Sequence, residues 1–211
     1  EPRAFIEVAW RRYTKHSKNK AQEISGAVLP IVERFPNKAP FKGAVLAGEF
    51  TQTSIEQLKS EGFSVLHFSY EEVIRAFESV GIDAYFDETT PEIEFDGKAA
   101  SFDKLSRSDK EKIKSHLFAN KGHELDQFLQ ALDKSLERSI RCIFITTLYG
   151  SEQKFQSVDE ACSFISGTNR TSDSGEPLAR IEIRVEYTNG DNIQFSFEDP
   201  IIAASQMRAI A

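Results

Sequence analysis

The sequence predicts an α/β chain: a mixed sheet flanked by helices, then further helices, then an α+β module of ββαββα order. Three observations carry this. Strand-like and helix-like segments alternate over the first 80 residues, and their short loops and crossover helices imply parallel neighbours with right-handed connections. An amphipathic stripe runs through residues 123–137. The last third repeats one pattern, two strands and a capped helix, twice over.

Residues 5–10 (FIEVAW) set apolar side chains around a single acid, the composition of a strand. A polar basic loop follows, and Ser17 is placed to cap a helix over residues 18–35. There Ile24, Ala27, Val28, Ile31 and Val32 fall at helical spacing. A turn at 37–40 leads into residues 41–50 (FKGAVLAGEF), a mostly apolar run bounded by glycines that suits a strand buried on both faces. Residues 54–60 read as a short helix stopped by Gly62, residues 63–68 (FSVLHF) as a strand, and residues 70–80 as a helix ending at Gly81.

Between residues 82 and 100 the pattern blurs into short acidic pieces around Pro91 and Gly97. Helices are predicted over 102–120 and 123–137; in the second, Leu125, Phe128, Leu129, Leu132 and Leu136 make one stripe, for a core or for a partner. Residues 141–149 form a strand, Gly150 a turn, 154–156 a second strand, and a helix starts at Ser157, where Ser157 and Glu160 make a capping box. The pattern returns with a strand at 180–187, an Asn189-Gly190 hairpin turn, a strand at 193–197, and a helix capped by Asp199 with Pro200 at its first position. Aligning the caps sets Ala161-Cys162-Ser163 on Ala203-Ala204-Ser205. Ile181, Ile183, Val185 and Tyr187 should face one way and Glu182, Arg184 and Glu186 the other, in one sheet with both helices on its buried face. Residues 168–177 have loop composition. The expected division is 1–100, a helical connector at 101–138, and the repeat module at 139–211.

No apolar run approaches the roughly 20 residues of a membrane span. Cys142 and Cys162 read as buried small hydrophobes of a reducing compartment, which points to the cytoplasm. The four histidines show no metal-ligand spacing. A net charge of −7 speaks against nucleic acid only weakly, because placement decides: Arg3, Arg11, Arg12, Lys15, Lys18 and Lys20 stand against Glu7 alone between residues 3 and 20. That stretch either faces phosphates or is a solvated basic loop. Phosphate-binding glycine fingerprints and a nucleophile elbow are absent from the sequence.

Glu7 is the residue that suggests chemistry. Hydrolysing a phosphodiester with magnesium needs a carboxylate that fixes the cation, and is helped by a side-chain cation that offsets charge on the phosphate. Ile6 and Val8 beside it predict a covered sheet, where an unpaired carboxylate is costly unless it meets a metal or a cation. The plainer alternative is a strand-end glutamate facing solvent or paired with an arginine. Glu49 at the end of its strand reads as structurally paired, and Asp83, Asp87 and Glu88 as an acidic surface loop.

The order strand–helix–strand–helix–strand with an acid on the first strand, together with the phrase EVAWRRYTKHSKNKAQEI, resembles the second half of the PD-(D/E)XK, or restriction-endonuclease-like, nuclease core. The resemblance covers about a third of the chain and implies a magnesium-dependent DNA endonuclease of restriction or phage-defence type. Its partners would be DNA and either a second copy or a defence complex. It puts Glu7 at the (D/E) position as metal ligand. It puts Lys20 or Lys15 in the role of the missing lysine, because the motif position itself is Ala9. Gln22 and Glu23 become helix-borne supports, and Arg11, Arg12, Lys15 and Lys18 phosphate contacts. The family's strand-borne aspartate is expected upstream of Glu1. A non-catalytic nucleic-acid-binding or assembly subunit on a degenerate nuclease fold is the rival expectation, favoured by Ala9.

Overall fold

Strand β2 (Phe41–Gly48) holds the first half of the molecule together, with a parallel neighbour on each side. β1 (Ala4–Arg11) lies along one edge, β3 (Ser64–Phe68) along the other, and the sheet order is β1-β2-β3. This computed structural model describes residues 2–12, 17–35, 38–87, 89–147, 150–168 and 180–210, without the side chains of 17 and 18. Two compact units result, Glu1–Asp133 and Lys134–Ala211.

In the first unit, α1 (Ser17–Val32) and α2 (Gln52–Ser60) are the crossovers β1→β2 and β2→β3. Both cover one face of the sheet, where Ala21, Ile24, Val28, Ile55 and Leu58 pack on Ala9, Ala44 and Leu46. The sequence extends α1 to residue 35. The structure ends it at Val32, because the last turn tightens: the Arg34 and Phe35 N–H groups bond back three residues, to the carbonyls of Ile31 and Val32. The opposite face takes α3 (Tyr70–Glu78), α5 (Arg107–Ala119) and α6 (Gly122–Leu136), through Val73, Leu117, Phe118, Leu125 and Phe128. β2 is accordingly buried on both sides, as its sequence predicts.

Two expectations fail here. Ile6 and Val8 do not lie under cover: they are 43% and 73% exposed. β1 is an edge strand, and the cluster on that face gathers β2, β3 and the helices but takes only Ala4 from β1. Likewise, the acidic stretch after residue 90 is not a string of short pieces but a helix, α4 (Glu92–Asp103), with Glu92 and Glu94 in its first turn. α4 absorbs Phe102, so α5 begins only at Arg107, where Ser106 Oγ accepts the Asp109 N–H at 3.1 Å. α4 has no buried residue, which is why no apolar stripe announces it.

The second unit follows its predicted repeat closely. β4 (Ile140–Thr147), β5 (Gln153–Phe155), β6 (Ile181–Tyr187) and β7 (Asn192–Phe197) make an antiparallel sheet of order β5-β4-β6-β7. α7 (Val158–Gly167) and α8 (Pro200–Ile210) share its buried face with Ile143, Ile145, Ile181, Ile183 and Val185. The two repeat positions aligned by sequence meet in space: the Cys162 thiol lies 3.6 Å from the Ala204 carbonyl. Both cysteines are buried and free. No helix among the described residues is long and apolar enough to cross a membrane. Most of the predicted loop at 168–177, as well as Asn37, Glu88 and Tyr149, lies outside the described residues.

Candidate functional site

The carboxyl ends of β1, β2 and β3 are tied together by backbone. Gly48 adopts φ +94°, and a Cβ there would stand 1.8 Å from the Arg11 carbonyl oxygen, so only glycine lets the two strands close up. The next N–H, of Glu49, donates to that same carbonyl at 2.8 Å. His67 Nε2 lies 3.0 Å from the Gly48 carbonyl, which requires the tautomer with its proton on Nε2, and the ring meets Phe50 edge-on at 5.9 Å. In open parallel sheets this end is where ligands are usually held.

Glu7 sits at mid-strand opposite Ala44, half-buried, on the face that carries Ala9 and α1. Ala9 is buried and touches the core that includes Ala21 of α1. Lys20 precedes Ala21 in α1; its ammonium pairs with Glu23 at 3.0 Å and its side chain is 28% exposed. The stripe of α1 turned to the sheet is Ala21, Ile24, Ser25 and Val28, so Gln22 and Glu23 stand on the solvent side. Glu7 therefore lies on the face that α1 covers, Lys20 has its ammonium drawn to Glu23, and Gln22 and Glu23 are turned to solvent. Arg11 and Arg12 close β1 at its carboxyl end. Lys15 lies outside the described residues, and so does the Lys18 side chain.

Magnesium is commonly held by one or two carboxylates plus phosphate oxygens and water. Among the described residues no three acidic, histidine or cysteine side chains converge, so there is no closed cage. Glu7 is a single carboxylate, so a magnesium ion there would have to complete its coordination with phosphate oxygens and water. The acids after α3 are used structurally. Asp83 accepts the Tyr85 N–H at 2.9 Å and pairs with Lys98 at 3.3 Å, and the Tyr85 bond foremost holds its carboxyl below the usual range. Asp87 takes the N–H and hydroxyl of Thr89, both at 2.8 Å, in a turn.

A cavity of about 470 Å³, unannounced by any sequence pattern, lies on the other side of β1's carboxyl end. Its rings are Trp10, Phe77, Phe86, Phe95 and Phe102. Phe86 and Phe95 stack on each other at 4.4 Å, and Tyr70 Oη donates to the Phe86 carbonyl at 2.9 Å, fixing that wall. Lys98 Nζ lies over Phe86 at 4.5 Å and the Arg12 guanidinium over Phe95 at 4.8 Å. Phe77, Phe86 and Phe95 stand nine residues apart, outside any helical or strand period, and Phe95 with Phe102 alone share the i, i+7 spacing of a helix face, so the signal in the sequence was little more than Trp10 beside Arg11-Arg12.

Compared with protein-family models, curated proteins and solved structures, the chain matches none, and the site is read from its own residues.

Proposed function

We propose that the first unit is the working part of a magnesium-dependent DNA endonuclease, with Glu7 as a metal ligand and Lys20 as the cation beside it. What supports the reading is a half-buried carboxylate, Glu7, on an edge strand and on the face its crossover helix covers, below a strand end that carries Arg11 and Arg12. Bound magnesium would polarise a phosphate oxygen and lower the pKa of a water. The chain's own residues do the rest. Arg11 and Arg12 hold backbone phosphates, which gives affinity and register but no sequence choice. Lys20 exchanges its Glu23 partner for the phosphate and offsets its charge.

A second reading keeps the DNA contacts and drops the chemistry. Buried Ala9 favours it, because that position would carry the motif's lysine and here only fills the core. One experiment divides the two. With the full-length protein, nicking of supercoiled plasmid is followed in magnesium and in manganese, beside DNA binding by anisotropy. The nuclease reading expects Glu7→Ala to lower cleavage at least ~100-fold, the scale of several kcal/mol of charge stabilisation, with binding retained. It expects Arg11→Ala to weaken binding on all sequences and to flatten the salt dependence by roughly one unit. Intact plasmid in both metals, with binding present, leaves the binding reading standing. Absence of binding removes both.

A further inference from the structure

The aromatic cavity is a built feature that the hydrolytic reading does not use. It opens beside the penultimate residue of β1, where Trp10 forms one wall, and α3, the 82–86 segment and α4 form the others. At about 470 Å³ it falls within the roughly 300–1,000 Å³ of small-ligand pockets. Its lining is almost wholly apolar, and the charged side chains in it are Asp96 and Lys98. α4, which roofs it, has no buried residue and is held largely by its rings, Phe95 on Phe86 and Phe102 on Phe77. A helix so attached gains packing when something flat fills the space beneath it.

We infer that this cavity receives an unstacked nucleobase of the DNA whose phosphates Arg11 and Arg12 hold, an inference that rests on the nucleic-acid reading of that segment. Phe86 and Phe95 cover each other's inner faces and Lys98 and Arg12 their outer ones, so stacking falls to Trp10, whose ring lines the cavity; every base has a π-face that stacks on an aromatic side chain without regard to sequence. A base also has a polar edge that must be satisfied once it leaves water, and Lys98 offers a donor and Asp96 an acceptor. An aliphatic acid is the poorer occupant: its chain has no use for flat walls, and Asp96 repels its headgroup. The Arg12 guanidinium, stacked on Phe95, stands where the wall of the cavity meets the strand end, so one phosphate and its own base can be held together.

Trp10 is the single tryptophan of the chain, so its emission reports on this wall directly. The full chain is titrated with tetrathymidylate and with an abasic tetramer of the same phosphate number, reading Trp10 emission and, separately, anisotropy of labelled oligomers. Tetrathymidylate should quench Trp10 saturably and bind about tenfold or more tighter than the abasic tetramer. Phe102→Ala should remove most of that difference while leaving the abasic tetramer's affinity unchanged. Phe102 is not fully buried, and an unchanged melting temperature without ligand shows the variant folded. Equal affinity of the two tetramers overturns the cavity inference and leaves the nucleic-acid reading intact. Failure of both to bind overturns the inference together with that reading. Decanoate quenching Trp10 where the tetramers do not would assign the cavity to an aliphatic acid and overturn it as well.

Discussion

On β1 the side chains turned away from α1 are Ala4, Ile6, Val8 and Trp10, and the last three are exposed. On β6 the side chains turned away from α7 and α8 are Glu182, Arg184 and Glu186, and each has a charged partner. Arg184 pairs with Glu152 at 3.1 Å and with Glu186, and lies 4.1 Å over the Phe144 ring; Arg141 also reaches Glu186, and Arg180 pairs with Glu182 at 2.9 Å. The second sheet's open face is thus finished: its charges answer one another and its one aromatic is capped by a guanidinium. The first sheet's edge is apolar where it meets water, and no strand among the described residues pairs beyond it. Edge strands are usually blunted with charge or covered, so β1 is the surface that needs contact.

The comparison breaks first at Gly48. A side chain there meets the Arg11 carbonyl and a left-handed φ together, so Gly48→Ala should cost the first unit roughly 3 kcal/mol. Hydrogen exchange should show the amides of β1 and β2 opening while those of β4 and β6 keep their protection. Equal loss in both sheets would show that the two units do not fold as separate cooperative bodies.

A smaller effect lies at the start of α3. Ser69 Oγ accepts the Glu72 N–H at 3.3 Å, and the Glu72 carboxylate accepts the Ser69 N–H at 2.7 Å and pairs with Lys121 at 3.4 Å. Burial pushes the Glu72 carboxyl up, but the Ser69 bonds and Lys121 outweigh it, and its pKa ends below the usual glutamate value. A depressed carboxyl stabilises the fold above the unfolded glutamate pKa, and that stability is lost as pH falls through the lowered folded value. Ser69→Ala should cost about 1 kcal/mol near neutrality. Urea melts repeated at falling pH should show the gap between wild type and variant narrowing in that acid range. A gap constant with pH would mean that the cap acts through the hydroxyl alone.

What was legible follows from what repeats locally. The period-2 alternation of residues 181–187 and the caps at Ser157 and Asp199 belong to the chain itself, and the second unit stands much as its sequence reads. β2 read correctly as buried on both faces because a central parallel strand has nothing polar to show. The exposure of Ile6 and Val8 was hidden, since an apolar edge strand and an apolar central strand are written alike until neighbours are counted. Glu7 and Lys20 could be singled out by residue type, but that Lys20 meets Glu23 is a product of the helix. The aromatic cavity was hidden more deeply: its walls come from β1, α3, a loop and α4, and no local period joins them.

The smallest change in stability should give the clearest test of the difference between the two open sheet faces. Val8 is the most exposed apolar residue of β1, at 73%, so Val8→Lys alters stability by no more than about 0.5 kcal/mol. It places a charge in the middle of the apolar edge, which is how natural sheets prevent strand-to-strand association. Glu182→Val does the reverse in the second unit, removing the partner of Arg180 and adding an apolar side chain to the solvated face. Sedimentation at increasing concentration should show Val8→Lys less self-associated than wild type and Glu182→Val more so. If Val8→Lys leaves association unchanged, the Ile6–Val8–Trp10 stripe does not drive it. The apolar edge would then be a tolerated exposure, and Trp10 would matter for the cavity wall it forms rather than for the strand it ends.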